Sequence, residues 1–88
     1  MEAYAVFRGI VQGVGFRYTT LRLARRHNIK GWVRNRGDGS VELVAQGSKE
    51  DITDFIEDIK EEFRGYIHDY HLEYRQPQEI FQDFSIRF

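Results

Sequence analysis

Two stretches of this chain carry apolar residues at helical spacing on one face only, and segments with strand-like character separate them. Phe16, Thr20, Leu23, Ala24 and His27 fall at i, i+4, i+7, i+8 and i+11. Ile52, Phe55, Ile56, Ile59 and Phe63 form a second stripe of the same kind. A helix with a single apolar face must bury that face against another element, and two such helices are expected to cover one face of a sheet. At 88 residues the chain has room for one modest core, so residues 1–88 are read as a single domain.

Five segments supply the sheet. Ala3 to Arg8 reads as the first strand and Ile29 to Arg34 as the second. In the third, Val41, Leu43 and Ala45 alternate with Glu42 and Val44, and Gly47 breaks it. In the fourth, Tyr70, Leu72 and Tyr74 alternate with His71 and Glu73. Phe84, Ile86 and Phe88 alternate in a last strand expected to run to residue 88. Asn35-Arg36-Gly37-Asp38-Gly39 is the strongest turn signal and makes a hairpin of strands two and three. Helix ends are marked as well. Asn28 tolerates the left-handed conformation after the first helix, Ser48 is a good N-cap for the second with Glu50 and Asp51 in its first turn, and Arg64-Gly65 closes it.

The order is βαββαβ plus a late strand. This is the split-βαβ pattern of a ferredoxin-like α/β sandwich, an α+β fold with a mostly antiparallel sheet and both helices on one face. In such a sheet strands one and three lie side by side at the centre and strand two flanks strand three. The loop after the first strand and the end of the second strand then meet, which brings Arg17 and Asn35 into one neighbourhood.

That loop is the chemically suggestive segment. Gly9, Gly13 and Gly15 punctuate it, and it leads from a strand into a helix start. Glycine reaches positive φ without steric cost, so successive N–H groups can turn inward as a nest for an anion, to which a helix N-terminus adds its own free donors. Arg17 stands at the junction with a planar, permanently charged fork. A cation is poorly placed at a helix N-terminus unless something negative belongs beside it. The loop is neither of the common phosphate signatures, having no Gly-Lys-Ser/Thr ending and no GxGxxG spacing.

Composition narrows the function classes. Cysteine is absent, which excludes thiol chemistry and disulfides, and no apolar run approaches the roughly 20 residues that span a bilayer. Glu2 and Arg8 interrupt the start before any signal-peptide core could form, so a cytoplasmic protein without membrane attachment is expected. The first 44 residues hold eight Lys/Arg against three Asp/Glu, and the remainder five against eleven. The glycine loop lies in the basic half, which would steer an anionic ligand towards it. His27, His68 and His71 lack metal-ligand spacing, and Trp32 reads as packing on the sheet. RNA-recognition modules share the element order, but they carry stacking aromatics on the third strand, where this chain has Val41-Glu42-Leu43-Val44-Ala45. No nucleic-acid partner is expected.

Two motifs then stand together. Val11-Gln12-Gly13-Val14-Gly15-Phe16-Arg17 resembles the V-x-G-V-x-F-R signature of the acylphosphatase family. Gly31-Trp32-Val33-Arg34-Asn35, followed by Asp38-Gly39, resembles its second signature, G-W-V-x-N-x-x-x-G. The 18-residue spacing from Arg17 to Asn35 also matches, and Phe84-Ser85-Ile86-Arg87-Phe88 is similar to the family's F-x-I-R-Y ending.

The resemblance implies metal-independent, cofactor-free hydrolysis of acyl phosphates to a carboxylate and inorganic phosphate. Carried onto matching positions, Arg17 would bind the phosphoryl group and Asn35 would position the attacking water. The backbone amides of Gln12, Gly13, Val14, Gly15, Phe16 and Arg17 would wrap the phosphate. A monomer acting on a small-molecule acyl phosphate is expected. A related domain that holds acyl or carbamoyl phosphate without turnover is the alternative, as in the first domain of a larger hydrogenase-maturation carbamoyltransferase. The absence of cysteine and of a following domain favours a stand-alone enzyme. The chain departs from the family pattern at Gly9-Ile10, where many members have Gly-Arg, and at Arg36. It departs again at 63–69, read as a changed surface turn with catalysis intact.

Overall fold

The structure, a computed structural model, describes residues 1–88. Its elements follow the order β1 (Glu2–Gly9), α1 (Phe16–Arg26), β2 (Lys30–Asn35), β3 (Val41–Gln46), α2 (Lys49–Glu62), β4 (Ile67–Arg75) and β5 (Phe84–Arg87). The sheet runs β4-β1-β3-β2-β5, with every pair antiparallel except β2–β5, which is parallel. The expected βαββαβ sandwich with a late fifth strand is therefore the observed fold.

Alternation decides which side chains meet the helices. Ala3, Ala5 and Phe7 of β1 and Val41, Leu43 and Ala45 of β3 share one buried cluster with Val33 and Phe84. The stripe of α1 enters this cluster through Phe16, Leu23 and Ala24, and that of α2 through Ile52, Phe55, Ile56, Ile59 and Phe63. Aromatic contacts knit the layers, with Phe7 and Phe16 rings 5.5 Å apart and Phe16 and Phe63 rings 4.6 Å apart. Burying a side chain of this size stabilises by about 1.5–3 kcal/mol. The opposite sheet face carries Trp32, with the guanidinium carbons of Arg34 and Arg87 5.1 Å and 4.6 Å from its ring centroid, as expected of a packing residue.

Two expectations about boundaries are corrected. Phe88 lies beyond β5 and is 94% exposed, so it does not belong to the last strand. The stretch 63–69 is not wholly a turn, because β4 already begins at Ile67, three residues before the first recognisable alternation. The capping residues behave as read. Ser48 Oγ accepts from the Asp51 N–H at 3.0 Å, and Asn28 takes φ 57°. No helix is long and apolar enough to cross a membrane.

Candidate functional site

Register places the site. Val41 pairs with Phe7 on one side and with Asn35 on the other. Strands β1 and β2 are both antiparallel to β3, so they run parallel to each other and end together. The loop leaving β1 and the end of β2 consequently open at the same edge of the sheet.

Between β1 and α1 the backbone is bent by glycine. Gly13 and Gly15 both adopt φ 79°, a conformation that disfavours any L side chain. A Cβ at either position would meet nothing within 4 Å, so glycine is required there by backbone direction and not by crowding. None of the backbone N–H groups of residues 11 to 17 donates a hydrogen bond within the protein.

The two helix starts differ in a way that bears on this. Helix α2 closes its own N-terminus with Ser48 and places Glu50 and Asp51 in its first turn. Helix α1 begins at left-handed Gly15, with no side-chain cap and no acidic residue in its first turn. Its free donors and the positive end of its dipole are left available to an anion.

A pocket of about 190 Å³ lies at this end, lined by Val11, Gly13, Gly15, Phe16, Arg17, Tyr18 and Asn35. Arg17 and Asn35 thus reach one cavity, as the strand order implied. Of the remaining expected residues, Gly13, Gly15 and Phe16 line it, although the Phe16 ring itself is in the core. Gln12 and Val14 do not line the pocket.

Arg17 forms no ion pair with any carboxylate of the chain. Its guanidinium carbon lies 4.9 Å from the centroid of the Phe88 ring, a contact that orients the fork without neutralising it. Asn35 Oδ1 is shielded from solvent and accepts no hydrogen bond from the protein. A buried acceptor left in that state costs about 1–3 kcal/mol, so its position favours a donor brought by something else. Thr20 Oγ1, one turn along α1, is the other buried side-chain atom without a protein partner.

Sequence reasoning missed several features. Tyr18 and Val11 line the pocket, and neither residue type announces that position. Thr20 falls in the helical stripe by spacing alone, which does not show that its hydroxyl lacks a partner. The Gln12 side chain turns to the β2–β3 hairpin, where Nε2 donates to Arg36 O at 2.8 Å and to Ser40 O at 2.9 Å. Across that hairpin Asp38 Oδ1 accepts from the Ser40 N–H at 3.0 Å and from Ser40 Oγ at 2.5 Å. These two bonds hold the Asp38 carboxyl below the ordinary aspartate value, with Arg36 and Arg8 adding smaller attraction.

Comparison with known proteins identifies the family. The acylphosphatase family model matches residues 3–86. An acylphosphatase of Leuconostoc mesenteroides is 58% identical over 48 residues, which are 54% of this chain and 53% of that relative. The matched part therefore spans about half the length of that curated relative. The crystal structure of acylphosphatase from Bacillus subtilis superposes with a TM-score of 0.91 at 35% identity, covering 100% of both chains. The T. kodakarensis HypF structure superposes at 0.85 with 38% identity, covering 99% of this chain and 12% of that one. With nearly its whole length matched by the family model, this chain belongs to the acylphosphatase family.

Proposed function

We propose that the protein is an acylphosphatase that hydrolyses the carboxyl–phosphate anhydride of acyl phosphates without a metal. The observation that carries this reading is Asn35 Oδ1, buried and without a protein partner, in a pocket shared with Arg17 and the open start of α1.

The substrate's phosphoryl group enters the loop, where the N–H groups of Gln12, Gly13, Val14, Gly15, Phe16 and Arg17 face its oxygens. Arg17 adds full positive charge. These preorganised donors hold charge that spreads over the equatorial oxygens in the transition state. Asn35 Oδ1 accepts a hydrogen bond from the attacking water and sets it in line with the P–O bond to the acyl group. An amide serves here because it orients water without carrying negative charge, whereas a carboxylate would repel the phosphoryl group. The water oxygen bonds to phosphorus, the P–O bond to the acyl carbon's oxygen breaks, and the carboxylate departs with that electron pair. The proton of the water goes to a phosphoryl oxygen. A carboxylate is already a good leaving group, so the step requires no general acid.

Titration with inorganic phosphate, followed by amide NMR, tests the placement. The expected result is saturable shifts concentrated at the amides of residues 12–17 and at the Asn35 side-chain amide. Shifts confined to other surfaces would place the anion elsewhere and remove the reading. The HypF likeness favours the second reading, a phosphate-binding domain without turnover, because there the same fold occupies a small part of a larger chain. That reading keeps the phosphate shifts and lacks hydrolysis.

A further inference from the structure

Resting on the reading above, we infer that the Gln12 side chain is a positioning residue that sets the distance between the phosphate loop and Asn35. The loop carries the phosphorus and the hairpin carries the residue that orients water. In-line attack therefore depends on how these two separate pieces of backbone are fixed to each other.

The hydrogen bonds leave this task to one residue. The backbone of the loop is tied on its other side, where the Ile10 N–H donates to Tyr66 O at 2.8 Å in the turn before β4. No backbone hydrogen bond joins residues 10–15 to residues 35–41. The only bonds that cross are the two from Gln12 Nε2, to Arg36 O and Ser40 O. Those carbonyls stand at the neck of the hairpin, just past the last ladder pair Asn35↔Val41. The neck is itself closed by Arg36 N–H donating to Ser40 O at 2.8 Å. One primary amide thus spends both of its hydrogens on the residue after Asn35 and the residue before Val41.

The geometry suits a side-chain amide and few other groups. Two carbonyl oxygens need two donors from a single neutral nitrogen. A carboxylate would be repelled by both oxygens, a methionine would fill the space without donating, and a lysine would add charge beside an anion site. Asn35 is thereby tied to the loop through its own neighbour Arg36. Its water-holding oxygen stays in register with the loop that holds the phosphoryl group.

Gln12→Met and Gln12→Ala, compared with the natural protein on an aromatic acyl phosphate, test this. Met keeps most of the volume and loses both donors. With loop and hairpin untied, we expect kcat to fall about 10- to 100-fold in both variants, the scale of a small misalignment of reacting groups. We expect KM and inhibition by inorganic phosphate to stay within about threefold, because the loop amides and Arg17 remain. A Gln12→Met protein that keeps its kcat overturns the inference, since filling space would then suffice. So does a variant whose KM and phosphate inhibition weaken as much as kcat falls, since Gln12 would then act through binding. If the natural protein itself fails to turn over, the proposed activity falls and this role falls with it. That result is distinct from an active natural protein with fully active variants, which overturns the role of Gln12 alone.

Discussion

Phe7 and Asn35 lie on opposite sides of the same residue, Val41, in the middle of the sheet. The pairing explains why two motifs far apart in sequence come together at one edge of the sheet. Two residues past Phe7, β1 gives way to the loop that leads to Arg17, and Asn35 ends β2, the parallel strand two positions away in the sheet. Any insertion that shifted β3 by one residue would flip its alternation and part the two halves of the site.

The roles of Arg17 and Asn35 separate kinetically. In the proposed reaction Arg17 faces the phosphoryl group in the ground and the transition state, so Arg17→Ala should lose phosphate inhibition and turnover together. Asn35→Ala should lower kcat by about 10²- to 10³-fold, the scale seen when one catalytic hydrogen bond is removed, while phosphate still inhibits. Steady-state kinetics with phosphate as inhibitor read both. Normal kcat in the Asn35 variant would remove its role, and unaltered phosphate affinity in the Arg17 variant would place the cradle elsewhere.

Two glycines should respond very differently to alanine. Gly31 has φ 140°, and a Cβ there would stand 1.9 Å from Val44 O in the neighbouring strand. Gly31→Ala should cost on the order of 3 kcal/mol or more, because strain and backbone collision add. At Gly15 a Cβ meets nothing within 4 Å, so the cost is the left-handed conformation alone, about 1–2 kcal/mol. Urea unfolding midpoints measure both, and equal losses would show that crowding at Gly31 relaxes freely.

Asp38 gives the hairpin a sign-definite pH response. Its hydrogen bonds from Ser40 lower the folded-state pKa below the ordinary aspartate value. The stabilisation is therefore present above that unfolded value and is lost as pH falls through the lower folded value. Asp38→Asn, which keeps an acceptor for Ser40, should flatten this part of the acid limb. Carboxyl NMR titration together with unfolding midpoints between pH 5 and pH 2 reads it. A folded Asp38 value at or above that of an ordinary exposed aspartate would contradict the sign.

Much of this was legible before the structure. The two apolar stripes, the hairpin turn and the strand order follow from periods of 3.6 and 2, and those were enough to bring Arg17 and Asn35 together. What stayed hidden has physical reasons. The edge strand β4 starts at Ile67-His68-Asp69, where little is buried and alternation carries no signal. Phe88 looks like a strand residue by type, yet its ring sits over Arg17 instead of in the core. Thr20 matches a helical stripe whether or not its hydroxyl has a partner. The Gln12 side chain spends its donors on carbonyls that are 24 and 28 residues away, which no local pattern encodes.

The most direct measurement is the loss of an aromatic acyl phosphate such as benzoyl phosphate, followed by ultraviolet absorbance with excess chelator present. We expect turnover that the chelator leaves unchanged and that inorganic phosphate inhibits competitively. Absence of turnover by a folded sample that phosphate still protects against heat would contradict an enzymatic role and leave a phosphate-binding domain. Absence of both turnover and any phosphate effect would contradict the site itself.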